Sequence, residues 1–303
     1  MGRRGPSAGS PARRYNGAVP SQPGPRDRFV TVGGLRLRYR DWGGSGPPFL
    51  ALHGAAAHAH WWDPVAPRLR PHLRVLALDW RGHGRSAWPR PPAYGSEDLA
   101  ADLLGVIRRL GLRAPIVAGH SMGGQAALVF AARYPEALAR LIVVDAKPVP
   151  NLAHLLARQQ RGERPRLLFE SRAAALARFR LSPPETTAPP ALVRAVAAHG
   201  IGRLPSGRFA YRFDPAADRA RAPVDAWPLL PGIRVPTLVV RGEHSTVLPR
   251  ETAERMAKTI PGATLVELPG TYHHLMLDAP AALADRLLEW LGGPAAPCGI
   301  KTQ

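Results

Sequence analysis

The stretch Gly119-His120-Ser121-Met122-Gly123 constrains this chain more than any other. A short apolar run, Pro115-Ile116-Val117-Ala118, precedes it, and a strong helix former from Gln125 to Tyr134, stopped by Pro135, follows it. The first has the length and character of a parallel strand covered on both faces, the second those of a buried helix. A serine between them sits on a sharp strand-to-helix turn. Glycines at 119 and 123 let strand and helix approach closely, and the turn pushes the hydroxyl out at the strand's carboxyl edge. There a histidine can reach it, and the helix N-terminus favours a developing anion. Five residues of this kind also occur in ordinary Gly-rich turns, so the reading needs support from the rest of the chain.

That support begins with periodicity. An antiparallel pair is predicted at 29–32 and 35–41, around the hairpin signal Gly33-Gly34. Strands follow at 48–53, 73–79, 115–119, 140–145, 236–241 and 263–268. Helices are predicted at 96–110, with Ser96 as N-cap and Glu97 and Asp98 in its first turn, at 250–260 and at 281–290. Alternating strands and helices imply an α/β fold built on a mostly parallel, doubly wound sheet of about eight strands. Ligands in such sheets sit at the carboxyl ends of the strands, where Gly54, Asp79, Ser121 and Asp145 fall.

Three more segments stand where an exposed serine would need them. Pro48 to Ala55 is a buried-strand pattern ending in His53-Gly54; Leu73 to Leu78 runs into Asp79-Trp80-Arg81-Gly82-His83-Gly84-Arg85-Ser86; Pro269-Gly270-Thr271-Tyr272-His273-His274 follows a strand near the end. In this order, together with the serine turn, they resemble the α/β-hydrolase superfamily over roughly residues 29–291. The resemblance implies Ser121 as nucleophile, a late histidine as base, and an oxyanion hole formed by the N–H groups of Ala55 and Met122. In the family pattern the base stands seven residues before a proline that opens the last helix, and Pro280 points to His273. His274 is then a packing or surface residue, His53, His83 and His120 support loop geometry, and Asp79 and Arg81 brace the neighbouring turn.

The acid departs from the common pattern. Many relatives carry aspartate three residues after a glycine at the end of the strand before the late histidine; here Arg241-Gly242-Glu243-His244-Ser245-Thr246 puts Ser245 there. Asp145, at the end of Leu141-Ile142-Val143-Val144, is the favoured replacement: some family members place the acid after that strand, and the order Ser…Asp…His is kept. Glu243, or no acid at all, are the alternatives. An aspartate nucleophile, as in epoxide hydrolases, is excluded by Ser121. The implied activity is a hydrolase without metal or cofactor that cleaves an ester, thioester or lactone of a small molecule through an acyl-enzyme. C–C bond hydrolysis and perhydrolase chemistry run on the same triad. A reading of a different class, a ligand-binding protein with little turnover, draws on the missing acid at 245.

Residues 147–231 break the strand–helix rhythm. Helical, Arg-rich stretches at 152–161, 167–180 and 191–198 alternate with Pro-rich joints, and the resemblance implies a helical cap inserted after the sixth core strand. The expected division is a basic disordered tail at 1–28, a core at 29–146 and 232–293, the cap at 147–231 and a flexible tail at 294–303. Between 147 and 231 the basic residues number 14 against 6 acidic, which suits either an entrance for anionic substrates or a chain-wide arginine bias. Lysine occurs only at 147, 258 and 301, so 38 of the 41 basic residues are arginine, and the bias is the preferred explanation. The net charge of +19 comes without a basic stripe interleaved with aromatics, which argues against specific nucleic-acid binding. The lone Cys298 allows no intrachain disulfide, and no apolar run approaches the roughly 20 residues of a membrane span, so a cytoplasmic setting is expected.

Overall fold

The computed structural model describes residues 24–292. Its strands are β1 (Arg26–Val32), β2 (Leu35–Gly43), β3 (Pro48–Leu52), β4 (Arg74–Leu78), β5 (Ile116–His120), β6 (Arg140–Val144), β7 (Ile201–Arg203), β8 (Phe209–Tyr211), β9 (Thr237–Gly242) and β10 (Thr264–Leu268). The α-helices are α1 (Ala66–Leu69), α2 (Ser96–Arg109), α3 (Met122–Arg133), α4 (Leu152–Gly162), α5 (Arg172–Arg178), α6 (Pro190–His199), α7 (Ala216–Arg219), α8 (Arg250–Thr259), α9 (Leu275–Asp278) and α10 (Pro280–Gly292).

Eight strands form one sheet in the order β1-β2-β4-β3-β5-β6-β9-β10. From β4 to β10 every neighbour is parallel, whereas β2 runs antiparallel to both β1 and β4. The strand alternation of two sends side chains to opposite faces. Leu50, Leu52, Val117, Leu141 and Val143 join one core with α2, α3 and α8, while Phe49, Ala51, Ile116, Ile142 and Val144 join another with α1 and α10. Burial of each such leucine or isoleucine contributes about 1.5–3 kcal/mol. The central strands are therefore pinned from both faces, and their carboxyl ends form a rigid edge.

Four expectations from sequence need correction or fall outside the described residues. β1 begins at Arg26, inside the expected tail, because Arg26, Asp27 and Arg28 pair with Asp41, Arg40 and Tyr39. Charged residues on an edge strand leave no hydrophobic signature; the remainder of that tail, 1–23, and the tail at 294–303 lie outside the described residues. Ser96 is not the N-cap of α2: Gly95 holds that position, its N–H donating to the Asp98 carboxylate at 2.8 Å, while Ser96 Oγ accepts from Val224 N–H at 3.2 Å. The helix expected at 167–180 starts only at 172, where Ser171 Oγ accepts from Ala174 N–H at 3.0 Å. Phe169 instead bridges to Phe209 beside the β7–β8 hairpin, which the chain-wide arginines and prolines concealed.

Candidate active site

The serine turn is built as its glycines require. A Cβ at Gly119 would lie 2.3 Å from the Gly123 carbonyl oxygen, and one at Gly123 would lie 2.7 Å from the His53 carbonyl. With both contacts possible only for glycine, α3 closes on β5 and on the chain just after β3 and leaves Ser121 at φ 54°, ψ −120°. A non-glycine residue there is strained by about 1–3 kcal/mol, a cost that persists only where surrounding structure enforces it. Its N–H donates to Val144 O and its carbonyl accepts from Gln125 N–H, each at 3.0 Å. Asp145 is strained in the same way, at φ 46°, directly after β6.

His273 joins the two. Its Nε2 stands 3.1 Å from Ser121 Oγ and its Nδ1 stands 2.7 Å from Asp145 Oδ2. A buried carboxylate beside Nδ1 fixes the tautomer, with the proton on Nδ1 and the Nε2 lone pair facing the serine hydroxyl. Asp145 is fully buried, and desolvation pushes its carboxyl up to about 7. Opposing that, Ser245 Oγ donates to Oδ2 at 2.5 Å and Gly242 N–H donates to Oδ1 at 3.0 Å. Ser245, at the position where the family pattern carries an aspartate, thus hydrogen-bonds Asp145. Glu243 turns away: it accepts from Gly270 N–H at 2.8 Å, with its side chain 41% exposed.

The supporting histidines are locked neutral. His53 Nδ1–H donates to Gly54 O at 2.7 Å and Nε2 accepts from Trp80 N–H at 3.1 Å, so a second proton would meet a donor. Burial drives its value down to about 3, and that of His83 likewise to about 3. His120 Nε2–H donates to the His273 carbonyl at 2.9 Å, fixing the backbone at His273. His274 donates from Nε2 to Pro183 O at 2.8 Å and is buried. Asp79 is a brace: it accepts from Ala59 N–H at 2.7 Å, Arg85 N–H at 2.9 Å and Arg38 at 3.1 Å. Arg81 forms a bidentate pair with Asp102 at 2.6 and 2.7 Å.

Ser121 and His273 open onto a cavity of about 460 Å³. Ala55 and Met122 line it beside them, and Met122 opens α3, where a backbone N–H has no intrahelical acceptor. Leu155, Phe179 and Arg221 close the cavity from the segment between β6 and β9. Among the described residues, two groups of side chains have the ligand atoms to hold a metal ion: His120, His273 and His274, and His60, Asp63 and His199. In the first, His273 already serves Ser121 and Asp145; in the second, Arg38 stands 3.0 Å from His60 Nε2 and opposes a cation. Among the described residues no helix is long and apolar enough to cross a membrane.

Sequence comparison identifies relatives across this whole architecture. One is a 2-(acetamidomethylene)succinate hydrolase of Mesorhizobium japonicum, 29% identical over 259 residues, covering 84% of this chain and 90% of that protein. Another is an esterase of Mycobacterium tuberculosis, 32% identical over 251 residues, covering 80% of this chain and 82% of that protein. The crystal structure of an E-2-(acetamidomethylene)succinate hydrolase superposes with a TM-score of 0.78 at 26% identity, over 89% of this chain and all of that one. Residues 47–280 match the family described as the alpha/beta hydrolase fold, and with the eight-stranded sheet and its helices on both faces the chain belongs to that family of hydrolases.

Proposed function

We propose that the protein is a serine hydrolase acting on an ester, thioester or lactone bond of a small molecule. The observation that carries this reading is the relay Ser121–His273–Asp145, with hydrogen-bond distances of 3.1 and 2.7 Å at its two links. His273 Nε2 takes the hydroxyl proton as Ser121 Oγ attacks the substrate carbonyl. The carbonyl π-bond becomes an oxyanion, held by the N–H groups of Ala55 and Met122, each such donor contributing about 10²–10³ in kcat. Collapse expels the leaving group, which receives the proton from His273 and leaves the acyl group on Ser121. Water, deprotonated by the same imidazole, then releases the acid and restores the serine. In its ionised form Asp145 holds the Nδ1–H tautomer and stabilises the imidazolium as His273 takes up the proton.

The segment 147–231 acts as a cap over this chemistry, since its side chains share the cavity with the strand ends. The names of the relatives, a hydrolase and an esterase, agree with carbonyl chemistry. The single cysteine, Cys298, suits the reducing cytoplasm. The test is a panel of p-nitrophenyl esters with the wild type and Ser121→Ala. Loss of one triad member lowers kcat by about 10⁴–10⁶. A variant retaining a tenth of the wild-type rate would assign the reaction to another residue.

A further inference from the structure

The cavity beside Ser121 carries charge of one sign. Lys147, Arg158, Arg180 and Arg221 line it, and no aspartate or glutamate among the described residues does. Chain-wide arginine bias accounts for arginines on the surface, where they find carboxylates, as Arg208 does with Glu170 at 2.8 Å. It does not account for guanidinium groups drawn out of water next to each other, because each must surrender hydration. Arg158, on α4, is 8% exposed, with Nη1 3.5 Å from Asp218 Oδ1. Arg221, just after α7, donates to Gln125 Oε1 at 3.3 Å, and burial together with the charge on Arg158 lowers its value to about 10. Asp218 is the carboxylate whose field supports both guanidinium groups, so the pair keeps a surplus positive charge facing the cavity.

The pair is also well placed. Gln125, the partner of Arg221, lies one helical turn from the nucleophile and binds its carbonyl. Helix α4, which carries Arg158, and α7, which ends two residues before Arg221, are in close contact, since a Cβ at Gly162 would lie 2.6 Å from Arg219 N. Leu155, Phe179 and Trp61 supply apolar wall in the same cavity. Building on the hydrolase reading, we propose that Arg158 and Arg221 form an oxyanion subsite for a carboxylate or phosphate on the substrate, making the enzyme selective for anionic over neutral esters. A planar guanidinium matches either group with two parallel hydrogen bonds. Lys147 and Arg180 add to the field that draws such substrates in.

The experiment compares the p-nitrophenyl monoester of adipic acid with p-nitrophenyl hexanoate, which have the same acyl length and differ in the terminal carboxylate. The expected result is a higher kcat/KM for the adipate ester, carried in KM and weakened by added salt. Loss of one charged hydrogen-bond partner should cut that preference about 10–150-fold in Arg221→Gln. Arg203→Gln, on the distant β7–β8 hairpin, should keep the wild-type preference. Adipate and inorganic phosphate tested as competitive inhibitors tell a carboxylate subsite from a phosphate one. Equal preference in wild type, Arg221→Gln and Arg158→Gln, or a preference for hexanoate, would overturn the proposal. Binding is read separately by the thermal shift of Ser121→Ala with adipate or phosphate. If no ester is cleaved, the hydrolase reading fails, yet a shift that disappears on adding Arg221→Gln still supports the subsite. No shift with either anion in Ser121→Ala overturns the subsite whatever the catalytic result.

Discussion

Replacing Ser245 by alanine removes one of three donors to the Asp145 carboxylate, the others being Gly242 N–H at 3.0 Å and His273 Nδ1–H at 2.7 Å. A hydrogen bond to a charged group contributes about 1.5–3 kcal/mol. At about 1.4 kcal/mol per pKa unit, the carboxyl should rise by about 1–2 units. Burial has already brought it up to about 7, so in the variant it would hold its proton at neutral pH. The apparent values belong to the Asp145–His273 pair, and a more basic carboxylate moves the acid limb upward whichever group is protonated. The assay is kcat/KM for a p-nitrophenyl ester across the acid and neutral range. The acid limb should shift up by about 1–2 pH units, leaving the alkaline plateau within a few-fold of wild type and the rate at neutral pH about 5–50-fold lower. Ser245→Thr, which keeps a hydroxyl, should restore most of the profile. A uniform fall with an unmoved acid limb would mean that Ser245 merely shapes its loop, where it also accepts from Val247 N–H at 3.2 Å.

The remaining predictions concern the acid, the paired histidines and acid stability. Asp145→Asn should lower kcat by about 10⁴, because the amide favours the wrong imidazole tautomer, whereas Glu243→Gln should change it little; steady-state kinetics on one ester decides between them. His273→Ala should match the loss seen in Ser121→Ala, while His274→Ala should retain substantial activity, since its Nε2–H is committed to Pro183 O. Equal loss in both would place His274 in the chemistry. His53 and His83 have folded values near 3 against about 6.5 unfolded, so the unfolded state takes up protons first as pH falls. Their stability contribution is complete above about pH 6.5 and declines toward pH 3, by about 1.4 kcal/mol per pH unit for each. Asp145, raised to about 7, works in the opposite direction between its unfolded value and 7, but as one group against two. Urea midpoints should therefore fall between pH 6.5 and 5; a flat or rising profile would contradict the buried neutral histidines.

The sheet was legible in sequence because buried parallel strands are short apolar runs, and the turns at their carboxyl ends carry glycine, histidine and aspartate at fixed spacing. Asp145 was a candidate in sequence because Ser245 left a gap that a carboxylate one strand earlier could fill, and its Oδ2 lies 2.7 Å from the His273 imidazole. What escaped was local or long-range. Gly95 and Asp98 rather than Ser96 start α2, since any of the neighbouring polar residues can satisfy the first N–H groups. The β7–β8 hairpin is only three residues a side, too short for a period of two to register. Arg158 and Arg221 could not be singled out among 41 basic residues, because what distinguishes them is burial side by side at a cavity that no aspartate or glutamate among the described residues lines. That is a property of the folded surface and leaves no local mark in the chain.

The most direct test of the account is covalent labelling of the nucleophile. A fluorophosphonate phosphonylates only a serine that an adjacent base has activated. Intact-mass and peptide analysis should show one adduct per chain, on the peptide carrying Ser121, formed rapidly in wild type and much more slowly in His273→Ala and Asp145→Asn. An unlabelled wild-type protein, an adduct on a different residue, or the same labelling rate in all three proteins would contradict it.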